Sequence, residues 1–303
     1  MEQTTMIKQL TTYALLGLLS TGLTAATTIN ESRTASPDAR ISFSAVTGEF
    51  KIIGSADNQL TVTGTLGEDV SEFSIEGDAD NWHIELQPIQ GSNRMRRQYQ
   101  ASVLTISVPI NAELEARTVS GQISLLDLQG PWVNARSVSG AITTDNVRPE
   151  RLSIETVSGK LEVRSGGQEE TRLRSVSGNM NASELRGRVN ASSVSGIIAV
   201  AASQLEEADF ETVSGGIQAT LAPLDRARIR ANSHSGAIDI ELPQGTPLDL
   251  RASSFSGRIR SDFGGEVERG RGPGERLEHR EGNGQVRVAA QSFSGRINLT
   301  RAQ

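Results

Sequence analysis

From residue 114 onward the chain repeats one hydropathy pattern with a period near 20 residues. Nine four-residue words of the form hydroxyl–x–Ser–Gly mark the period, ending at Gly121, Gly140, Gly159, Gly178, Gly196, Gly215, Gly236, Gly257 and Gly295. Aligned on the opening hydroxyl residue, the position two earlier is always apolar: Ala116, Ala135, Ile154, Leu173, Ala191, Phe210, Ala231, Ala252 and Ala290. The position four earlier is apolar in every copy except at Thr171. Alternation of this kind predicts a strand with one buried face. Two residues after each glycine stands an aliphatic side chain, Ile123, Ile142, Leu161, Met180, Ile198, Ile217, Ile238, Ile259 or Ile297, which opens a second strand. The two apolar sets are out of phase by one residue, so a straight strand would send them to opposite faces. The chain must turn at Ser-Gly, and glycine suits a turn because it reaches positive φ without a Cβ penalty.

Each period is therefore strand, corner, strand and a turn-rich return loop such as 126–131 or 145–149. Antiparallel pairing across each corner would give a meander. Parallel pairing of equivalent strands would give a β-solenoid, in which like residues stack at about 4.8 Å per coil. The solenoid is the favoured reading: an all-β, single-domain parallel solenoid with coils of about 19–21 residues and a length on the order of 50 Å. The last interval, from Gly257 to Gly295, is twice as long as the others and reads as two periods with a degenerate copy between.

The solenoid is expected over 40–303, with regular repeats over 114–301. Residues 40–113 are less regular but strand-like, with apolar runs at 50–53, 60–62, 73–75, 82–86 and 103–108, and read as opening coils plus a cap. Within them, 46–48 and 62–64 look like weak copies of the corner. Residues 27–39 read as a disordered leader. Residues 264–284, rich in glycine and charge, read as a mobile loop in place of one corner.

Residues 1–26 have the form of an export signal: Lys8, an apolar run over 14–23 and small residues at 24–26. The run is too short to span a bilayer, and no second apolar segment follows, so the mature chain is expected to be exported to the periplasm or outside the cell and not to span a membrane. There is no cysteine, which excludes disulfides, thiolate metal sites and a catalytic thiol. A net charge of −6 without a basic stripe speaks against nucleic acid as a partner.

The run of Val-Ser-Gly corners, preceded by the segment 104–112 and closed by 282–288 and 292–299, resembles the bacterial "putative adhesin" domain family of unknown function. The resemblance covers about residues 40–301 and implies a β-solenoid of the cell envelope. It brings no catalytic residues with it. The later copies depart from the pattern, with His234, Phe255 and Phe293 in place of the corner valine.

The corner column invites attention first. Val119, Val138, Val157, Val176, Val194 and Val213, followed by His234, Phe255 and Phe293, form either an outward interaction stripe or a filled corner of the core. Large apolar columns are usually buried, so the core is the expectation. The two serine columns would need a positioned base to act as nucleophiles, and only His83, His234 and His279 exist. Stacked hydroxyls bonding one another and the corner amides are the better reading. Three scattered histidines do not make a metal site, and no cofactor is expected. A polysaccharide-cleaving enzyme would need clustered carboxylates, whereas Asp145, Glu155, Asp239 and Glu241 sit at different offsets. Arg94, Arg96 and Arg97 beside Tyr99 form the sharpest basic cluster and read as a solvated loop. The expected function is non-enzymatic: an envelope or adhesin-like surface for a glycan, envelope component or protein. The alternatives are a structural spacer or an envelope element that assembles end to end through the solenoid ends and, further off, a polysaccharide-active enzyme.

Overall fold

The computed structural model describes residues 27–89, 100–269 and 273–302; the segment 1–26, read above as an export signal, and the cluster Arg94, Arg96, Arg97 and Tyr99 lie outside them. Among the described residues every regular element is a strand, 24 in all, hydrogen-bonded into one continuous coiled sheet. None is a helix able to cross a membrane. The pairing through the repeats is parallel and in register, as a solenoid requires. Strands before the corner stack as one ladder, from Glu113–Thr118 through Trp132–Ser137, Arg151–Thr156 and Glu170–Ser175. Strands after it stack as a second, from Gln122–Leu126 through Ile142–Asp145 and Leu161–Arg164. From residue 180 the return loop is drawn into the sheet, so single strands such as Ile198–Thr212 and Ile217–Ser233 run through a whole coil.

Registered stacking places like on like. One core column runs Ile41, Leu114, Val133, Leu152, Thr171, Val189, Ala208, Ile229, and all of it is buried. The opposing column runs Phe50, Ile123, Ile142, Leu161, Met180, Ile198, Ile217, Ile238. The core between the two ladders is therefore a continuous aliphatic seam, each coil burying its apolar face against its neighbours.

The corner glycines serve a different purpose from the one the sequence indicates. From Gly121 to Gly295 none has positive φ. What excludes a side chain is proximity: a Cβ on Gly140, Gly159, Gly178, Gly196, Gly215 or Gly236 would lie far under 3.0 Å from the carbonyl oxygen of the corner glycine one coil earlier. The left-handed turn of each coil sits instead in the return segment, on Asp127, Asn146, Ser165, Glu184, Gln204 and Arg226, with φ between 51° and 66°.

The spatial order of coils departs from chain order at both ends. The coil of Gly295 lies between those of Gly236 and Gly257, because Val286–Ser292 pairs with both Ile217–Ser233 and Leu248–Ser254. At the other end, Arg40–Ala45 and Glu49–Ser55 lie between the Gly121 coil and the strands Asn81–Pro88 and Val103–Pro109. The last coil, that of Gly295, is thus clamped on both sides rather than left at an edge.

Three expectations are corrected here. Residues 27–39 are not a disordered leader, since Thr27–Thr34 is a strand antiparallel to Gln59–Leu66; its polar side chains gave no hydropathy signal because it is an edge strand with neither face fully buried. Residues 264–284 carry the strands Val267–Arg269 and Glu275–Arg280, an antiparallel pair whose buried Leu277 faces Ala252. They cap the Gly257 coil, so the long interval holds a cap and not a degenerate copy. Residues 46–48 do form a corner beneath Gly121, but 62–64 lie inside the strand Gln59–Leu66. Antiparallel strands continue the parallel ladders at both ends of the stack.

Candidate binding surface

The corner is built by its hydroxyl residues. In each word the first hydroxyl is buried and accepts the N–H of its own glycine at 2.7–3.0 Å, as Ser137 Oγ does from Gly140. The second serine is exposed and its backbone N–H donates to the corner carbonyl of the coil below, at 2.8 Å from Ser139 to Val119. Its Oγ reaches the same oxygen at 3.3 Å. The columns do not bond to one another, as stacking alone would imply. Each hydroxyl is committed to the backbone, which closes a tight turn whose amides would otherwise be orphaned. Ser233 and Ser235 follow the rule, with Ser233 Oγ on Gly236 N and Ser235 Oγ on the Val213 carbonyl.

The residue between the two hydroxyls faces outward. Val119, Val138, Val157, Val176, Val194 and Val213 are 45–50% exposed, and Phe255 and Phe293 both 49%. This overturns the expectation of a filled corner. The reason is strand parity: the buried set of the first strand continues through the first hydroxyl, so the next residue must point away. The sequence's interaction stripe, His234, Phe255 and Phe293, is brought together in the order His234–Phe293–Phe255. The rings stack at 4.9 Å and 2° for the first pair and 4.8 Å and 5° for the second. Because the Gly295 coil is inserted before the Gly257 coil, Phe293 is the middle ring.

Nine outward side chains, one per coil, therefore form an apolar ridge about 40 Å long. Along its C-terminal half, from Val194 to Phe255, the ridge borders a groove of about 950 Å³. The floor is polar, made of Ser192, Glu211, Asn232, Gln291 and Ser253, and the cap closes one end with Glu268 and residues 273–276. Glu275 fixes that cap. Its carboxylate accepts Ile259 N at 2.7 Å and Arg269 Nε at 3.0 Å. The backbone N–H of Ile259 above all, then Arg269 with Arg258 nearby, holds its carboxyl below the usual range, outweighing the opposing effect of burial.

The carboxylates weighed for catalysis are dispersed. Asp239 and Glu241 share one strand, Asp145 lies five coils away and Glu155 stands in the other ladder, between Arg136 at 3.4 Å and Arg174 at 3.6 Å. Among the described residues no group of three or more His, Asp or Glu is placed to hold a metal ion.

The Toastrack model, DUF4097, matches residues 23–224. The chain is similar in fold to a "putative adhesin" of Parabacteroides distasonis, at 12% identity and a TM-score of 0.49, over 91% of this chain and 98% of that one. A second, from Parabacteroides merdae, is 12% identical with a TM-score of 0.44, over 91% and 96%. A "putative lipid binding protein" of Parabacteroides distasonis is 14% identical with a TM-score of 0.41, over 91% and 97%. A search of curated proteins finds no match.

Proposed function

This chain belongs to the Toastrack family of domains of unknown function, and from that premise we propose that it is an exported, non-catalytic interaction domain of the cell envelope. Its contact surface is the corner ridge. The observation that carries the reading is the half-exposed column from Val119 to Phe255, apolar in a molecule whose other outward positions are mostly polar. A rigid row of equal contacts, each weak, gains strength by acting together on a partner that engages many of them at once. The hydroxyls that could have suggested hydrolysis are held by backbone groups, which fits a structural role. The partner is an envelope glycan, another envelope component or a protein.

The experiment is retention of the chain from residue 27 onward on envelope prepared from the producing cells. Replacing His234, Phe255 and Phe293 together by serine should lower retention about tenfold or more, with the thermal melt unchanged. Undiminished retention by a folded triple variant would refute the ridge as the contact surface.

A further inference from the structure

We infer that the partner of the ridge is a second copy of this chain, docked ridge to ridge about a two-fold axis perpendicular to the rod; this rests on the ridge being the contact surface. Three observations converge on it.

The first is spacing. The ridge presents one side chain every 4.8–4.9 Å where its rings measure the step. A single extended peptide laid along it presents same-face side chains about every 6.8 Å and falls out of step within two or three contacts. A second copy has the same step by construction, so every contact can be made together.

The second is the arrangement about the axis. A perpendicular two-fold reverses the order of coils, so the first ridge position, Val119, meets the last, Phe255, and the fifth, Val194, meets itself. There the apolar edge is widest, because Ile197 beside Val194 is 42% exposed. Reversal also sets the N-terminal part of one ridge, Val119 to Val176, along the groove that borders the other ridge from Val213 to Phe255.

The third is charge. On the flank just before the corner, reversal places Arg174 opposite the exposed Glu211 of the other copy, twice by symmetry. Arg136 falls opposite Gln291, Glu155 opposite Asn232, and Arg117 opposite Ser253, whose partner in the cap is Arg276, with Glu268 beside it on the next strand. Among the corner-flanking positions themselves no like charges meet, and the one cation near Arg117, Arg276 of the cap, is paired in register with Glu268. Nine half-exposed side chains bury on the order of 500 Å² of each copy, about 1,000 Å² in the pair, which reaches the lower bound for a specific interface.

The chain has no cysteine, so single cysteines report the geometry cleanly. In the chain from residue 27 onward, diamide oxidation of Val194→Cys should give mainly covalent dimer and of Val119→Cys alone none. A mixture of Val119→Cys and Phe255→Cys should give the mixed dimer. Sedimentation velocity of the cysteine-free chain should show a dimer that dissociates on dilution. Val194→Glu should raise its dissociation constant at least about tenfold, since it buries two like charges at the axis. Dimer formation by Val119→Cys alone would overturn the arrangement, and a wild-type monomer at every concentration would overturn the inference. Envelope from cells lacking this protein separates the two readings. Ridge-dependent retention there would reject the second copy as partner while the contact surface stands, and ridge-independent behaviour in every assay would reject both.

Discussion

Gly140 lies directly over the carbonyl oxygen of Gly121, so close that the smallest side chain cannot be placed between them. The same contact recurs up the stack, and it explains why the corner demands glycine although its backbone is ordinary. Gly140→Ala should therefore lower stability by about 3 kcal/mol or more, because backbone must move in two coils. Gly245→Ala is the matching control. That glycine has φ of +79° with open space around it, so only conformational strain of about 1–2 kcal/mol is lost there. Denaturant midpoints of the two variants measure the difference.

Thr171 interrupts a core column between Leu152 and Val189, fully buried, and its hydroxyl has no protein partner among the described residues. Thr171→Val keeps the shape and removes an unpaid desolvation, so it should raise stability by about 1 kcal/mol. Chemical denaturation reads this directly, and a loss of stability would show that the hydroxyl is serving a partner.

Arg226 turns the return segment with φ of 66°. A left-handed conformation costs a non-glycine residue about 1–2 kcal/mol, so Arg226→Gly should stabilise the chain by up to about 1 kcal/mol once glycine's greater unfolded freedom is offset. The melting temperature should rise, in contrast to the fall at Gly140.

Glu275 ties the cap to Ile259 and Arg269. Its folded pKa is depressed, so its contribution is present above the unfolded value and disappears as pH falls through the folded one. Glu275→Gln should speed amide exchange in Glu275–Arg280 at neutral pH, and the difference from wild type should vanish in acid below the ordinary carboxylate range. A difference that persists there would mean that shape, not charge, fixes the cap.

Much of this architecture is legible in the chain. Ile123 and its equivalents, the phase change at Ser-Gly and the parallel stacking follow from spacing. The outward ridge was legible too, because parity puts Val138 opposite in direction to the buried Ser137, but average hydropathy argues the other way and parity is the stronger rule. Three features leave no such trace. The left-handed column is carried by Asp127, Asn146, Ser165, Glu184, Gln204 and Arg226, which share no residue type. The insertion of the Gly295 coil cannot be read from words that are alike in every copy, since any coil could pair with any other. The strand Thr27–Thr34 is polar and gains its order from pairing with Gln59–Leu66.

The most direct measurement places a single cysteine at Val157, the third of the nine ridge positions, and follows its alkylation by a small maleimide. In the isolated chain at high dilution the thiol should react about as fast as a free cysteine, and with envelope or at high chain concentration about tenfold more slowly or less still, as a covered contact must. A thiol unreactive at high dilution would return the corner column to the core, and one equally reactive in both states would show that the ridge holds nothing.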